Sequence, residues 1–460
     1  MTAYIDFLAA KRPLALDHGR PVNPADIHPS LFDFQRDLVV WAVRKGRAAL
    51  LADAGLGKTR MQLEWARLIG QRTLILAPFT VAEQTVDEAL AIDLDVVYAR
   101  RQEHAGPGLT ITNYELADHF DPAAFGAIVL DESSILKAAE GVTRNKLIRR
   151  FERTHYRLAC TATPAPNDIA EIGNHAEFLS TARRRHMLAQ FFLHDDQGWR
   201  LKGHAREPFF AWLASWAMSL KRPSDLGYSD DGYLLPPLEV RRVTVPADYV
   251  PPGQLFAAGL KGITDRAHVR RQTLKARVTA AAGLIDAERQ PWIAWVGLND
   301  EGRQLAAELG DQAVLVEGAM APEDKAERLT AFVQGQARVL VSKTSIAGFG
   351  LNLQHCARQV FVGLSDSWEQ YYQAVRRCWR YGQTSPVHVY VVVSEPEAAV
   401  HDNVLRKERE AEALTADLIR HVAAYERAEV GRDTPRLDPY TATQLMAVPG
   451  WLAREEATCR

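Results

Sequence analysis

The amino-acid sequence predicts an α/β fold with two domains, each a mostly parallel sheet flanked by helices. Two observations predict this class: short apolar runs alternate with amphipathic helical patterns, and the alternation occurs in two separate series. A third observation is a glycine-rich turn that joins a strand to a helix early in the first series. The length of 460 residues is too great for one ordinary core and agrees with more than one domain.

The glycine-rich turn lies within Leu50–Thr59, after an apolar run and before a helical pattern. A strand, a turn and a helix N-terminus in this order form the setting in which a P-loop binds nucleotide phosphates. Gly55 and Gly57 let backbone N–H groups come close to those phosphates. Lys58 is predicted to reach the β- and γ-phosphates of ATP, and the Thr59 hydroxyl to ligate Mg²⁺.

The turn departs from the usual P-loop pattern at one position, because Ala52 stands where the first glycine is expected. The loop alone leaves open that it merely connects a strand to a helix. The residues predicted to contact the nucleotide in this turn are Ala54, Gly55, Leu56, Gly57, Lys58 and Thr59.

The remainder of the first series repeats the same alternation after a Pro-rich N-terminal stretch of about 30 residues. A first amphipathic helix is predicted over Leu38–Val43. The predicted strands are Ala48–Ala52, Thr73–Pro78, Val96–Tyr98, Leu109–Asn113, Ala127–Leu130 and Tyr156–Cys160.

One of these strands ends in a pair of acids, Asp131 and Glu132. Alone, an apolar strand that ends in acids is a common structural feature. Paired with an upstream P-loop, it is the expected second half of a nucleotide-hydrolysis site. Asp131 is predicted to hold Mg²⁺, and Glu132 to orient or deprotonate the attacking water.

The segment from 181 to 236 interrupts the alternation. It begins with the basic triplet Arg183–Arg185. We interpret this triplet as a solvent-exposed face, in preference to a site that binds phosphate. A hairpin is predicted around Gln197, and bracing is favoured for it over a strand-separating wedge. Trp212 and Trp216 could stack on bases, but packing of an apolar helix face on the first domain is the favoured interpretation.

A second α/β series starts near residue 265 and has no P-loop of its own. A long charged helix is predicted over Glu397–Glu429, followed by a Pro-punctuated, partly ordered tail. The predicted strands of this series are Trp292–Val296, Ala313–Val316, Arg338–Val341, Gln359–Val362 and Val387–Val393, and the predicted helices include Pro322–Val333 and Trp368–Tyr381. The predicted domains are therefore 1–180, an insertion and linker 181–236, 237–396, and a C-terminal helix and tail 397–460.

Composition narrows the function classes. The net charge is −2, so any nucleic-acid surface must be a local patch of basic residues. No apolar run approaches the ~20 residues of a membrane span, so no membrane partner is expected. Four scattered cysteines without a CxxC pair indicate a reducing compartment, and we expect a cytoplasmic protein.

Taken in chain order, the motifs resemble those of superfamily-two helicases and translocases, closest to the Swi/Snf-type branch. The likeness spans roughly residues 30 to 395 and, with the small size, suggests a compact phage or bacterial type. The motifs that carry it are Gln35, Ala52–Thr59, Ala77–Pro78 with Gln84, Ile111–Glu115, Asp131–Ser134, Thr161–Pro164 with Asn167, Trp292–Val296, Ser345–Leu353 and Gln373–Gln383.

The resemblance implies two RecA-like domains that face each other across an ATP cleft. Gln35 would then read the adenine, and Gly350 would also contact the nucleotide. Arg377 and Arg380, expected on one helical face of the second domain, would neutralise transition-state charge. Thr161, Thr163 and Gln373 would couple the two sites, and Thr80, Thr112, Asn113, Ser345 and Asn352 would contact nucleic acid.

Two departures from the family pattern stand out. Ser133 and Ser134 replace the commoner small residue and histidine after the acid pair, and Arg376 and Trp379 replace more usual residues beside the arginines. The resemblance implies an ATP-dependent motor that acts on DNA, with double-stranded DNA as the expected partner, without sequence specificity. An RNA-dependent helicase, or a nucleotide-gated DNA clamp serving a nuclease, methyltransferase, replication or defence partner, are the alternatives.

Overall fold

Two parallel sheets organise the protein. The structure, a computed structural model, describes residues 14–138, 141–195, 198–246, 269–347, 353–365 and 367–431. Seven strands form the first sheet in the order β3-β4-β2-β5-β6-β1-β9, and six form the second in the order β10-β15-β14-β11-β13-β12. All pairs within both sheets are parallel, which confirms the predicted fold class.

The first sheet contains every strand predicted for the first series. Its central strands are wholly buried, as expected when helices cover both faces of a parallel sheet. The strands are β1 Arg47–Ala52, β2 Thr73–Ala77, β3 Val96–Tyr98, β4 Leu109–Asn113, β5 Ala127–Asp131, β6 Tyr156–Cys160 and β9 Ala217–Leu220. The helices of this half are α1 Asp33–Lys45, α2 Lys58–Ile69, α3 Phe79–Leu90, α4 Val142–Arg150, α5 Ile172–Leu179, α6 Arg184–Phe191 and α7 Arg206–Ala214.

The segment from 181 to 236 is closely joined to the first sheet. Its strand β9 pairs in parallel with β1, so the segment supplies an edge strand as well as connecting elements. Trp212 and Trp216 are buried in the same core as the sheet. This confirms the interpretation that they pack on the first domain and contradicts a role as a base-stacking platform. The predicted hairpin exists as β7 Phe192–Asp195 and antiparallel β8 Gly198–Leu201, with its tip at Gln197 outside the described residues. The predicted domain boundaries remain predictions.

The second sheet begins with a strand that the sequence analysis missed. Strand β10 lies at the sheet edge, five of its eight side chains are exposed, and charged or polar residues separate its apolar ones, so it contains no apolar run. The strands are β10 Leu238–Val245, β11 Trp292–Val296, β12 Ala313–Val316, β13 Val339–Lys343, β14 Arg358–Phe361 and β15 Val387–Ser394. The helices are α8 Leu274–Asp286, α9 Asn299–Leu309, α10 Pro322–Val333, α11 Thr344–Ala347, α12 Trp368–Val375 and α13 Ala398–Glu429.

Two helices position the functional residues of the second half. The helix predicted over Trp368–Tyr381 ends earlier, at Val375. Beyond it the N–H groups of Arg377 and Cys378 bond three residues back and that of Arg380 two residues back, in turns. Helix α13 matches its prediction and extends over both cores: Val404 packs in the second-domain core, and Val422 in the first-domain core. No helix in the described part of the chain is long and apolar enough to cross a membrane.

Candidate functional site: a cavity shared by both domains

The turn between β1 and α2 has the geometry that phosphate binding requires. Gly55 and Gly57 have φ of 89° and 79°, a conformation that side chains with a Cβ rarely adopt. A Cβ on Gly57 would lie 2.3 Å from Nε2 of Gln35, so a larger residue there would displace that amide as well as strain the backbone. The Lys58 ammonium donates to the carbonyls of Ala52 at 2.8 Å and Asp53 at 3.1 Å. The turn therefore exposes its N–H groups and the N-terminus of α2 to the cavity in front of it.

The charges behind the turn suit a nucleotide and a divalent cation. Burial first, and the neighbouring carboxylate of Glu132 second, raise the pKa of Asp131 to about 7. Burial also lowers the pKa of Lys58, and the negative charges of Glu132 and Asp53 raise it by a smaller amount. A buried carboxyl group with a raised pKa is well suited to a cation that compensates its negative charge. The hydroxyl of Thr59 and the carboxylate of Asp131 thus fit Mg²⁺, as predicted.

Glu132 is held in a special backbone conformation. Its φ of 52° lies in the left-handed region, which residues other than glycine adopt at a cost and chiefly at functional sites. Asp131 Oδ1 accepts the Glu132 N–H at 3.1 Å, and the Tyr114 hydroxyl donates to the Asp131 carbonyl at 2.6 Å. Thr161 donates to Glu132 at 3.5 Å. These bonds fix the direction of the Glu132 side chain.

A chain of hydrogen bonds leads from Glu132 to the second domain. The Thr161 hydroxyl also accepts the N–H of Thr163, whose own hydroxyl donates to Glu369 of α12 at 3.4 Å. Lys137 forms an ion pair with the same Glu369. The sequence analysis missed Glu369, since an acid in a helix has no signal of its own. Gln373, also predicted to couple the sites, is buried, and neither amide atom has a hydrogen-bond partner among the described residues.

The serine pair after the acids has a local partner. Ser133 is fully buried, and its hydroxyl lies 3.1 Å from Nε2 of His175 in α5. Burial lowers the pKa of His175 to about 4, so the imidazole is neutral at ordinary pH. The departure from the usual motif is therefore accommodated by a histidine 42 residues downstream.

Arg377 and Arg380 of the second domain face the same cavity as the P-loop. They lie in the turns beyond α12, which corrects the expectation of a helical face. Burial first, and the neighbouring Arg380 cation second, lower the pKa of Arg377 to about 10. The pKa of Arg380 is lowered chiefly by burial, and its Nε is buried without a hydrogen-bond partner among the described residues. Two converging buried cations make a site for an anion.

The shared cavity has a volume of about 300 Å³. Gln35 stands at its edge, where its amide donates to the Leu56 carbonyl at 2.9 Å and accepts the Phe32 N–H at 3.0 Å. Of the predicted turn residues, only Leu56 does not line the cavity; its side chain is fully buried. The cavity is lined by Phe32, Gln35, Ala54, Gly55, Gly57, Lys58, Thr59, Arg60, Val81, Gln84, Glu88, Asp131, Glu132, Tyr233, Arg376, Arg377 and Arg380. Phe32 and Tyr233, an aromatic pair 5.7 Å apart, were not identified from sequence.

A buried ion pair joins the P-loop to the second domain. Arg376 donates to Asp53 at 2.8 Å and to the Ala54 carbonyl at 3.1 Å, and the Tyr372 hydroxyl donates to the other Asp53 oxygen. The Arg376 guanidinium lies 5.0 Å from the ring centre of Trp379, and two tyrosine rings lie within 6 Å as well. The two unusual residues noted in the sequence, Arg376 and Trp379, thus form an interdomain clasp.

A second, larger cavity of about 890 Å³ also spans both domains. Of the residues predicted to contact nucleic acid, Asn113 and Ser345 line it, together with Arg100, Lys137 and Lys325, which were not predicted. Thr112 is fully buried inside the first sheet, so its hydroxyl does not face this groove. The burial of Thr112 corrects the prediction that this residue contacts nucleic acid directly. The Thr80 side chain, Gly350 and Asn352 lie outside what the structure describes.

Both parallel-sheet domains thus contribute side chains to one cavity that carries the P-loop turn. Residues 297–382 match the family described as the helicase conserved C-terminal domain, which agrees with the resemblance noted in the sequence for that part of the chain. The match includes Ser345, Arg377 and Arg380. No curated protein matches the chain.

Among solved structures, the chain is similar to the Sulfolobus solfataricus SWI2/SNF2 ATPase core in complex with dsDNA. The two share 16% identity, with 88% of this chain and 99% of the other covered, at a TM-score of 0.42. A likeness of this strength supports no statement about substrate.

Proposed function

We propose that the protein is an ATP-dependent motor of superfamily two, of the Swi/Snf-like branch, that moves on duplex DNA without sequence specificity. The observation that carries the proposal is the single cavity in which Lys58 and Glu132 of one domain meet Arg377 and Arg380 of the other. A site divided between two domains makes hydrolysis depend on their relative position, and this dependence converts ATP turnover into movement.

In this proposal each residue has a defined role. Lys58 and the N–H groups of the turn bind the phosphates, and Glu132 orients and deprotonates the attacking water. Arg377 and Arg380 neutralise the charge that develops during transfer, an effect worth about 10³–10⁵ in rate in related reactions. Mg²⁺ held by Thr59 and Asp131 would supply further positive charge to the phosphate oxygens.

The groove of about 890 Å³ is the proposed path for the nucleic acid. Asn113 and Ser345 offer an amide and a hydroxyl, groups that suit phosphate oxygens, and Arg100 is exposed at the same groove. Phosphate contacts of this kind do not distinguish sequences. The hydrogen-bond chain from Glu132 through Thr161 and Thr163 to Glu369 connects the two cavities, since Glu132 and Glu369 also line the groove.

The first test compares ATPase rates with duplex DNA, single-stranded DNA and RNA at matched salt, because such binding is salt-dependent. Duplex DNA is expected to stimulate most. Stimulation by RNA alone would make the protein an RNA-dependent helicase, and tight DNA binding without stimulated turnover would favour a nucleotide-gated clamp. Glu132→Gln serves as the control without turnover. We also propose that the protein acts in the cytoplasm and works with a protein partner such as a nuclease.

A second test separates tracking from unwinding. We expect ATP-driven displacement of the third strand of a triplex and no unwinding of a forked duplex. The hairpin β7–β8 is the candidate wedge. Phe192 at its base is buried, and its ring centre lies 5.4 Å from that of Phe209, which favours a role in bracing the first domain. Efficient unwinding that disappears when Gln197 and its neighbours are deleted, with ATPase retained, would refute duplex tracking.

A further inference from the structure

Helices α4 and α6 present basic side chains to two adjoining hollows on the surface of the first domain. The hollows have volumes of about 410 and 600 Å³ and share Arg149 and Asn145. Six basic residues line them: Arg144, Lys146, Arg149, Arg150, Arg183 and Arg185. We call these six residues the basic hollow. It lies outside both cavities described above.

Three of these six cations are paired within the protein, with two carboxylates between them. Arg144 pairs with Glu177, and Lys146 and Arg150 both pair with Asp118. Arg149, Arg183 and Arg185 are exposed and form no ion pair within the described residues. Three guanidinium groups from two helices therefore face solvent in one concave region, on a protein whose net charge is −2.

A fourth arginine adds to the positive field. Arg184, between two of the exposed arginines, has a pKa lowered by burial first and by the Arg144 cation second. Its Nε is buried and has no hydrogen-bond partner among the described residues. The carboxylates of Asp168, Glu177 and Glu171 oppose this lowering only in part, so a bound polyanion would stabilise the group of cations further.

The basic hollow adjoins the proposed nucleic-acid groove. Lys137 lines the groove, and its carbonyl accepts a hydrogen bond from Asn174 Nδ2 at 3.0 Å. Oδ1 of the same Asn174 accepts from Arg144 Nε at 3.1 Å. One asparagine side chain thus joins the rim of the groove to the basic hollow.

We infer that Arg149, Arg183 and Arg185 bind a second stretch of the phosphate backbone of the same DNA, outside the groove. The inference rests on the proposed function and extends the binding footprint across the outer face of the first domain. Guanidinium groups pair with phosphates through two parallel N–H···O bonds, and such contacts are independent of sequence. A motor that contacts its DNA at a second site remains bound to it while the groove changes shape during the ATP cycle.

The test replaces all three arginines by glutamine, with Arg289→Gln, Arg409→Gln and Arg420→Gln as a control set of three exposed arginines on other elements. Binding of a duplex of about 12 base pairs, roughly 40 Å long, and of one about five times longer is measured over a range of salt. For the long duplex, the slope of log K against log salt should fall by up to about 2.7, at about 0.9 per lost phosphate contact. The short duplex, the control set, the melting temperature and the DNA-free ATPase rate should not change.

Two outcomes would overturn the inference. A salt slope equal to that of the control set would show that the three arginines contact no phosphate. An equal loss with the short duplex would place them in the groove instead. Failure of the proposed function has a different signature, since the unaltered protein would then bind neither duplex, and variants of Asn113 and Ser345 would have no effect on binding or ATPase.

Discussion

The interdomain clasp between Asp53 and Arg376 allows a quantitative test of how the two domains are held together. Arg376 is 2% exposed, and Asp53 lies in the P-loop, 323 residues earlier in the chain. Asp53→Asn keeps the size of the side chain and removes its charge. We expect this change to weaken the docking of the second domain on the first and to move Arg377 and Arg380 away from the ATP cavity.

The magnitude follows from the burial of the pair. Removal of one partner of a buried ion pair costs about 3–5 kcal/mol, because the other charge remains buried without compensation. Asp53→Asn retains a polar group for the Tyr372 hydroxyl, so we expect the lower end, about 3 kcal/mol. That corresponds to a shift of about 10²-fold from docked to separated domains. An exposed pair, Arg406 with Glu410, offers the matched control at about 0.3–0.5 kcal/mol.

Fluorescence energy transfer between labels at the exposed residues Glu103 and Gln334 measures the separation of the domains. Cys459→Ser is introduced first, because the other three cysteines are buried. Asp53→Asn should broaden and lengthen the distance distribution and lower the ATPase rate, and Arg406→Gln should do neither. An unchanged distribution together with an unchanged ATPase rate would refute the reasoning, because the ion pair would then have no part in docking.

Three further predictions concern single residues. Lys58→Ala should weaken ATP binding, while Glu132→Gln should leave a protein that binds ATP and barely hydrolyses it; equal loss of binding in a nucleotide-binding assay would contradict these roles. Arg377→Ala should lower the catalytic rate by at least about 10²-fold with little change in DNA affinity, and loss of DNA binding with ATPase retained would place it on the DNA path instead. Burial first and the carboxylate of Glu412 second raise the pKa of Glu408 to about 7. Because this exceeds the unfolded value of about 4.3, stability should fall as pH rises from about 4 to 7. Glu408→Gln should remove that slope and raise the free energy of unfolding at pH 8 by about 1–2 kcal/mol, after discounting for solvent, in urea titrations at pH 5 and 8; an unchanged slope would mean that Glu408 is solvated.

The sequence by itself determined the parts of the protein that depend on neighbours in the chain. The β1–turn–α2 unit and the acid pair after β5 are local patterns, because a buried parallel strand is a short apolar run and a phosphate-binding turn needs glycines at a set spacing. The same holds for the long helix α13, which its amphipathic pattern predicted over Glu397–Glu429 and which forms over Ala398–Glu429. Strand β10 was missed since an exposed edge strand needs no apolar run.

Only the tertiary structure decided what depends on residues far apart in the chain. The pairing of Asp53 with Arg376, the bond from Thr163 to Glu369 and the basic hollow each join elements that approach only after folding. The burial of Thr112 is likewise set by the strands beside β4 and the helices over them. Side-chain exposure and charge pairing are properties of the packed surface, and local sequence spacing carries no information about which distant element lies opposite.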